Sequence, residues 1–475
     1  MNNKKVREFG LLDKVAYMSG DIANDLSFIF VAMYLMVFYT KVLGISGATI
    51  GTLFLTARIV DAFTDIGMGR ILDNIRPKKE GKFRFWIKAV SPFVCLSSFL
   101  LFVYIVKDFS TPAKIIYIFI TYILWGSIFY TGINIPYGSM ASVISEKSEH
   151  RASLSVFRTL GANISILLIS MVVPKVIYVS QMIDGKPVQV VLPHRFTLLA
   201  ATFSIIAFCF YMFCYHFSIE RVSVKKVEKI ENKKLMEEFK DLLSSLKKNK
   251  SLQIFIGIAI VLLLTTMLGQ GLTPYLYADY FDDTSLLGIH GAMGAVVTFI
   301  LSIFAAKVSN RYGKQLSGGV ALIISALIFM TTYFLKITSA GTFIKLYFVS
   351  VLGSSFFNII IWAFISDIID DQEVREGKRE DGTVYAVYSF ARKLGQALAG
   401  GITGFALSAI GYQSAGHVQT EQVRDSIYNL FTCGSAIGYL LCGLVLLFLY
   451  PLNKKKVEEN TVEIMKRRGQ INVGK

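Results

Sequence analysis

Arg58, Asp61 and Asp65 fall within two helical turns in the stretch ARIVDAFTDIGMG, residues 57–69. The surrounding segment, Ala48 to Leu72, otherwise has the length and composition of a membrane helix. A charged side chain at a bilayer centre costs roughly 2.5–3.5 kcal/mol on insertion scales, so residues of this kind mark function. Asp61 and Asp65 are i and i+4 and share one helix face. Two carboxylates there repel unless a cation lies between them or one is protonated. Clusters of oxygen ligands suit hard cations such as Na⁺. A coupling-cation site at Asp61 and Asp65 is therefore the expectation, with Thr131 adding a hydroxyl oxygen. A structural ion pair between Arg58 and Asp61 is the competing reading.

Other polar residues lie at a similar depth. At about 1.5 Å of rise per residue, Asp21, Asp61, Asp65, Asn134, Arg158 and Lys393 all fall roughly 10–16 Å above the cytoplasmic boundary. Scattered structural polars have no reason to share one slab, whereas opposite charges around a wet cavity do. Asp21 is open to a structural pairing with Lys393 or Arg158, and Asp25 lies one turn above it. Tyr17, Phe28, Tyr34, Tyr130 and Trp362 are candidates for stacking on the apolar face of a sugar ring. Trp362, five residues before Asp367, stands out among them.

These residues need long apolar helices to hold them. The chain has 475 residues, of which 53% are hydrophobic and only 17% charged, and its mean hydropathy is +0.54. That composition excludes a soluble protein of this size. The expected fold class is an all-α membrane protein of twelve transmembrane helices in two six-helix halves. The spans centre near residues 27, 59, 96, 127, 166, 206, 264, 295, 326, 355, 397 and 438. The expected divisions are an N-terminal bundle over 1–218, a cytoplasmic linker over 219–250, a C-terminal bundle over 251–452 and a cytoplasmic tail over 453–475. In the linker, KLMEEFKDLLSSLKK spaces its leucines as an amphipathic surface helix. The halves also rhyme: GRILDNIRPKKEGKFR follows the second span and AAKVSNRYGKQL the eighth, as in a repeat-built transporter.

The net charge of +16 follows topology. Lys and Arg cluster at both ends and in the loops on the same side, whereas DYFDDTSLLGIH has neither. By the positive-inside rule both termini are cytoplasmic, in a multi-pass plasma-membrane protein, and no nucleic-acid partner is implied. No cleavable signal peptide is expected, because the first apolar run is full length and lacks an A-x-A-type site. The five cysteines lie in apolar spans without metal spacing and read as small buried hydrophobes. No P-loop, nucleophilic triad or cofactor motif is present, which argues against an enzyme. The expected partners are the bilayer, a coupling cation and a small-molecule substrate, with the chain a monomer.

Three stretches together carry a resemblance over nearly the whole chain. They are YLMVFYTKVLGISGATIGTLFLTARIVDAFTDIGMG, NIPYGSMASVIS and WAFISDIIDDQEVREGKREDGTVYAVYSFARKLGQALAGG. They resemble the glycoside–pentoside–hexuronide:cation symporters, the branch of the major facilitator superfamily that includes melibiose permease. The loop Ala306 to Lys314 likewise resembles the superfamily's cytoplasmic loop, with Asn310 at its usual Asp. The resemblance implies alternating-access symport of a sugar with Na⁺ or H⁺. It implies cation binding at Asp61 and Asp65, with Thr131 nearby. It implies substrate binding at Asp21, Arg158 and Lys393, and Asn134 and Trp362 complete the candidate set. A same-fold carrier of an amphiphile such as a lysolipid is the alternative.

Two positions depart from melibiose permease: Asn134 replaces an Asp, and Gly20 replaces a Lys. Galactoside specificity is therefore not carried over, and the loss of one negative charge suits an anionic sugar. Asn134→Asp is expected to weaken uronide binding by restoring that charge. Measured affinity for a uronide checks it, and unchanged affinity counts against the assignment.

Overall fold

A computed structural model describes residues 7–75, 78, 80–183, 186–222, 249–377, 381–414 and 417–467. The amphipathic linker segment lies outside the described residues. So do the side chains at some helical positions, Lys393 among them.

Fourteen α-helices are described. They are α1 (Leu11–Val37), α2 (Gly47–Asn74), α3 (Arg84–Leu100), α4 (Thr111–Ile123), α5 (Thr131–Ile144), α6 (Ser148–Ile177) and α7 (Pro193–Phe217), followed by α8 (Lys250–Tyr275), α9 (Leu287–Tyr312), α10 (Lys314–Leu335), α11 (Ala340–Glu376), α12 (Asp381–Ala409), α13 (Glu421–Leu444) and α14 (Lys454–Arg467). Each of the twelve centres read from sequence falls in α1 to α13 or in the turn joining α4 to α5. Among the described residues nine continuous helices are long and apolar enough to cross a membrane. The other three centres fall in α2, which carries Arg58, Asp61 and Asp65, in α3, which has 17 residues, and in α12.

Local chemistry sets the helix ends. Ser46 Oγ accepts the Thr49 amide at the start of α2, and Asn249 Oδ1 accepts the Leu252 amide at the start of α8. Both supply a side-chain acceptor to an orphan donor. Gly377 stops α11 at φ +71°, a left-handed conformation that glycine adopts without a Cβ penalty. The all-α expectation misses one feature: strands β1 (Tyr178–Ile183) and β2 (Lys186–Val191) form an antiparallel hairpin between α6 and α7. The sequence between them reads Asp-Gly, flanked by alternating β-branched residues, a hairpin signal overshadowed by the adjacent apolar runs.

The chain forms two compact units. The first takes the chain through Glu228 together with Tyr277–Ala292 and Gly404–Val423. Inside it α1 packs on α6 and α7, and α3 on α7 and α5. Lys41, in the π-helical turn after α1, pairs with Asp279 at 2.6 Å, and the Tyr412 hydroxyl donates to the same carboxylate at 3.1 Å. At the other end of α1, Asp13 is fully buried and held by Arg7 and Arg221. Next to Arg221, the Glu220 carboxylate accepts the amides of Lys82, Phe83 and Arg84 at 2.7–2.8 Å.

The second unit takes Lys229–Leu276, Met293–Thr403 and Arg424–Lys475. Lys314, at the start of α10, reaches Asp367 of α11 at 2.6 Å. One turn on, Asp371 accepts from Asn460 of α14 and pairs with Arg375. The tail read from sequence thus includes a helix docked on α11, where Asn460 and Ile464 are buried. Three of the five cysteines are buried as expected, but Cys209 is exposed.

Glu220→Ala removes the acceptor of three amides at the start of α3. It is expected to destabilise the protein by about 2 kcal/mol, the scale of a lost helix cap plus charge-assisted hydrogen bonds. A lowered thermal transition of the purified protein checks this, with Glu220→Gln falling less.

Candidate functional site

The carboxylates that opened the sequence reading lie on α2. Asp61 pairs with Arg58 at 3.1 Å and accepts a short hydrogen bond from Ser127. Asp65 accepts from Thr131 Oγ1 at 3.0 Å. Both proposals made for Asp61 therefore meet on one side chain, which has a cation partner of its own and a hydroxyl neighbour. Between α4 and α5 the helix widens into a π-turn over Leu124–Tyr130. Such turns insert a residue into the helical register and recur at functional sites. Here Ser127 lies within the turn and Thr131 directly after it, and each bonds an aspartate of α2. Ser127 was not singled out from sequence, although its position four residues before Thr131 was a usable signal.

Two carboxylates and two hydroxyls thus gather on α2 and its neighbour. That donor set fits a hard monovalent cation, whose ligands are oxygens. Among the described residues no group of three or more His, Cys, Asp or Glu could hold a metal ion, so a multi-carboxylate transition-metal cage is not what this arrangement resembles.

On α1, Asp21 is 4% exposed and accepts from Arg158 Nε of α6 at 2.9 Å. Of the two partners open to Asp21, Arg158 is seen paired with it, and the Lys393 side chain lies outside the described residues. The guanidinium also lies 5.5 Å from the Tyr137 ring, while Tyr137 stacks on Tyr17 at 4.7 Å and donates to the Tyr17 carbonyl. This packing explains Gly20. A Cβ there would meet the Tyr137 ring at 2.5 Å and Cys214 Sγ at 2.9 Å, so a lysine cannot occupy the position without displacing the aromatic pair.

Tyr130 stacks on Phe28 at 5.4 Å. It also meets Trp125 with ring centroids 5.6 Å apart. Asn134 follows one turn later on α5 and is half-buried. No described hydrogen bond joins it to Asp21 or Arg158. Of the aromatic candidates, Tyr17 and Tyr34 are sealed in the core at 2% and 0% exposure, the packing role expected of most aromatics in a membrane protein.

In the second unit Trp362 is 44% exposed and meets Tyr388 edge-on at 5.4 Å. The Arg392 guanidinium lies 5.9 Å from the same indole. Arg392 was also missed from sequence, masked by its neighbour Lys393, yet a second cation in one apolar span was the available signal. Lys393 lies in α12, and its side chain is outside the described residues.

Comparison with known proteins agrees with this architecture. The profile of the family described as MFS/sugar transport protein matches residues 16–454. The glucuronide carrier protein homolog of Escherichia coli strain K12 is 28% identical over 96% of this chain and 95% of its own. The isoprimeverose transporter of Lactiplantibacillus pentosus is 29% identical over 95% and 93%. A crystal structure of a D-xylose-proton symporter has the same fold, with a TM-score of 0.60 at 12% identity, covering 93% of this chain and 98% of that one. This chain belongs to the MFS/sugar transport protein family, and it is a transporter of the major facilitator kind, not an enzyme.

Breaking a buried ion pair by removing one partner is more damaging than removing both. Arg158→Met is therefore expected to destabilise the protein by about 2 kcal/mol, below the buried-pair range of roughly 3–5 because the arginine side chain is 44% exposed. Adding Asp21→Asn to that variant should recover part of the loss. Thermal transitions of the two singles and the double measure this.

Proposed function

We propose that the chain imports a glycoside, pentoside or hexuronide in symport with Na⁺ or H⁺, by alternating access. Twelve membrane-spanning helices in the plasma membrane, with both termini in the cytoplasm and the chain a monomer, complete the reading. The observation that supports it best is the gathering of Asp61, Asp65, Ser127 and Thr131 oxygens in the same unit as the Asp21–Arg158 pair.

In this reading Asp61 and Asp65 bind the coupling cation, with Thr131 and Ser127 supplying neutral oxygens. Arg58 screens Asp61 when the cation is absent, and a bound cation displaces that guanidinium. Asp21 and Arg158 present an acceptor and a donor fork to sugar hydroxyls, and Asn134, Trp362 and Lys393 complete the substrate set. Each ligand lowers the conformational cost of binding the other, and that reciprocity couples the two fluxes. No cofactor is involved.

The test is thermal stability of the purified protein against a panel of glycosides, pentosides and hexuronides, each with and without Na⁺. A ligand that binds only the folded state raises the transition temperature. One sugar is expected to stabilise more in Na⁺, and Asp65→Asn to abolish that increment. Equal stabilisation with and without Na⁺ points to protons instead, checked by uptake against pH. Stabilisation by amphiphiles and by no sugar would sink the sugar assignment.

A further inference from the structure

Arg392 lies deep within α12, whereas Lys175, Lys307 and Lys345, which also have no described ion pair, stand near the ends of their helices. Arg58, Arg158, Lys41 and Lys314 each hold an aspartate. Among the described residues no carboxylate is ion-paired with Arg392, whose guanidinium lies against the Trp362 indole instead. A cation–π contact alone falls short of what an arginine costs in hydrocarbon. A purely structural role therefore leaves the charge poorly compensated.

The surroundings show which way this face looks. On α11 the exposed positions Asn358, Trp362 and Ser366 recur at i, i+4 and i+8, between buried Ile361, Phe364 and Ile365. On α12 Arg392 and Gln396 are i and i+4, and both are half-buried. A stripe holding Asn and Ser beside a face holding Arg and Gln does not fit hydrocarbon; it fits a water-filled cavity. Tyr388, 2% exposed, fixes the indole edge-on from behind.

We propose that Arg392 and Trp362 form an anion subsite of the transport pathway, and that the substrate is a sugar carrying a carboxylate or sulfonate. The guanidinium fork takes two oxygens of the acidic group, geometry that a neutral hydroxymethyl cannot match. The sugar ring packs its apolar face on the indole, with Asn358 and Gln396 in reach of ring hydroxyls. The proposal rests on the sugar-transport reading above and narrows it to acidic sugars.

The test measures dissociation constants of the full-length purified protein for methyl β-D-glucuronide, methyl β-D-glucoside and the corresponding 6-sulfonate. The expected result is a preference for one or both anions over the glucoside, weakening as salt rises. Arg392→Gln should reduce that preference by about tenfold or more, the scale of a lost charge-assisted bidentate contact, and Arg392→Lys should retain part of it. Which anion binds more tightly identifies the acidic group. A glucoside bound as tightly as the anions overturns the anion subsite while leaving sugar transport intact. Equal weakening of all three ligands by Arg392→Gln overturns it too, as a structural effect. Binding of none of the three overturns both this proposal and the sugar reading.

Discussion

Asp21 and Arg158 stand 137 positions apart in the chain, on α1 and α6, and neither is tolerable in hydrocarbon without an answer from the other. The same constraint recurs through both units. Asp61 is answered by Arg58, Asp279 by Lys41 and Asp367 by Lys314. Each pair fastens two helices or two turns of one helix, so charge compensation and helix packing are a single arrangement. In the proposed transport cycle such partners exchange, and a bound cation or an acidic ligand is one that arrives from outside.

The irregular turns fall where those exchanges are anchored. Lys41 and Asp279 both lie in π-helical turns, and Ser127 lies in a third. A π-turn shifts the helical register by one residue, so side chains that regular spacing would send elsewhere are aimed at a neighbour. In α4 and α5 this brings two hydroxyls to the two aspartates of α2. Aromatic packing does the complementary work. Tyr137 and Tyr17 back the Asp21–Arg158 pair, and the close fit against Gly20 fixes the height of α1 beside them.

Much of this was legible beforehand because the signals are local. Apolar runs of membrane length place the spans, and the i, i+4 spacing puts Asp61 and Asp65 on one face wherever the helix goes. Three motif stretches identify the family. Partner choice was not legible: that Arg158 meets Asp21 follows from the packing of α1 on α6. Spacing from Asp367 set Trp362 apart, but the full burial of Tyr17 and Tyr34 comes from their neighbours. Ser127 and Arg392 carried weak local signals and acquire meaning from what lies across from them. The β1–β2 hairpin escaped for another reason, since its short alternating pattern sits between two much stronger helical ones.

By itself, then, the sequence determined that this is a polytopic helical membrane protein and which helices carry charge. Those properties follow from composition and periodicity, which act along the chain. The tertiary structure alone decided which charge meets which, which aromatic rings are sealed, that α14 docks on α11 and that Arg392 rests on an indole. Those are contacts between residues distant in the chain. Their selection depends on shape and on the energy of leaving a polar group unanswered in an apolar medium, and no spacing rule encodes either.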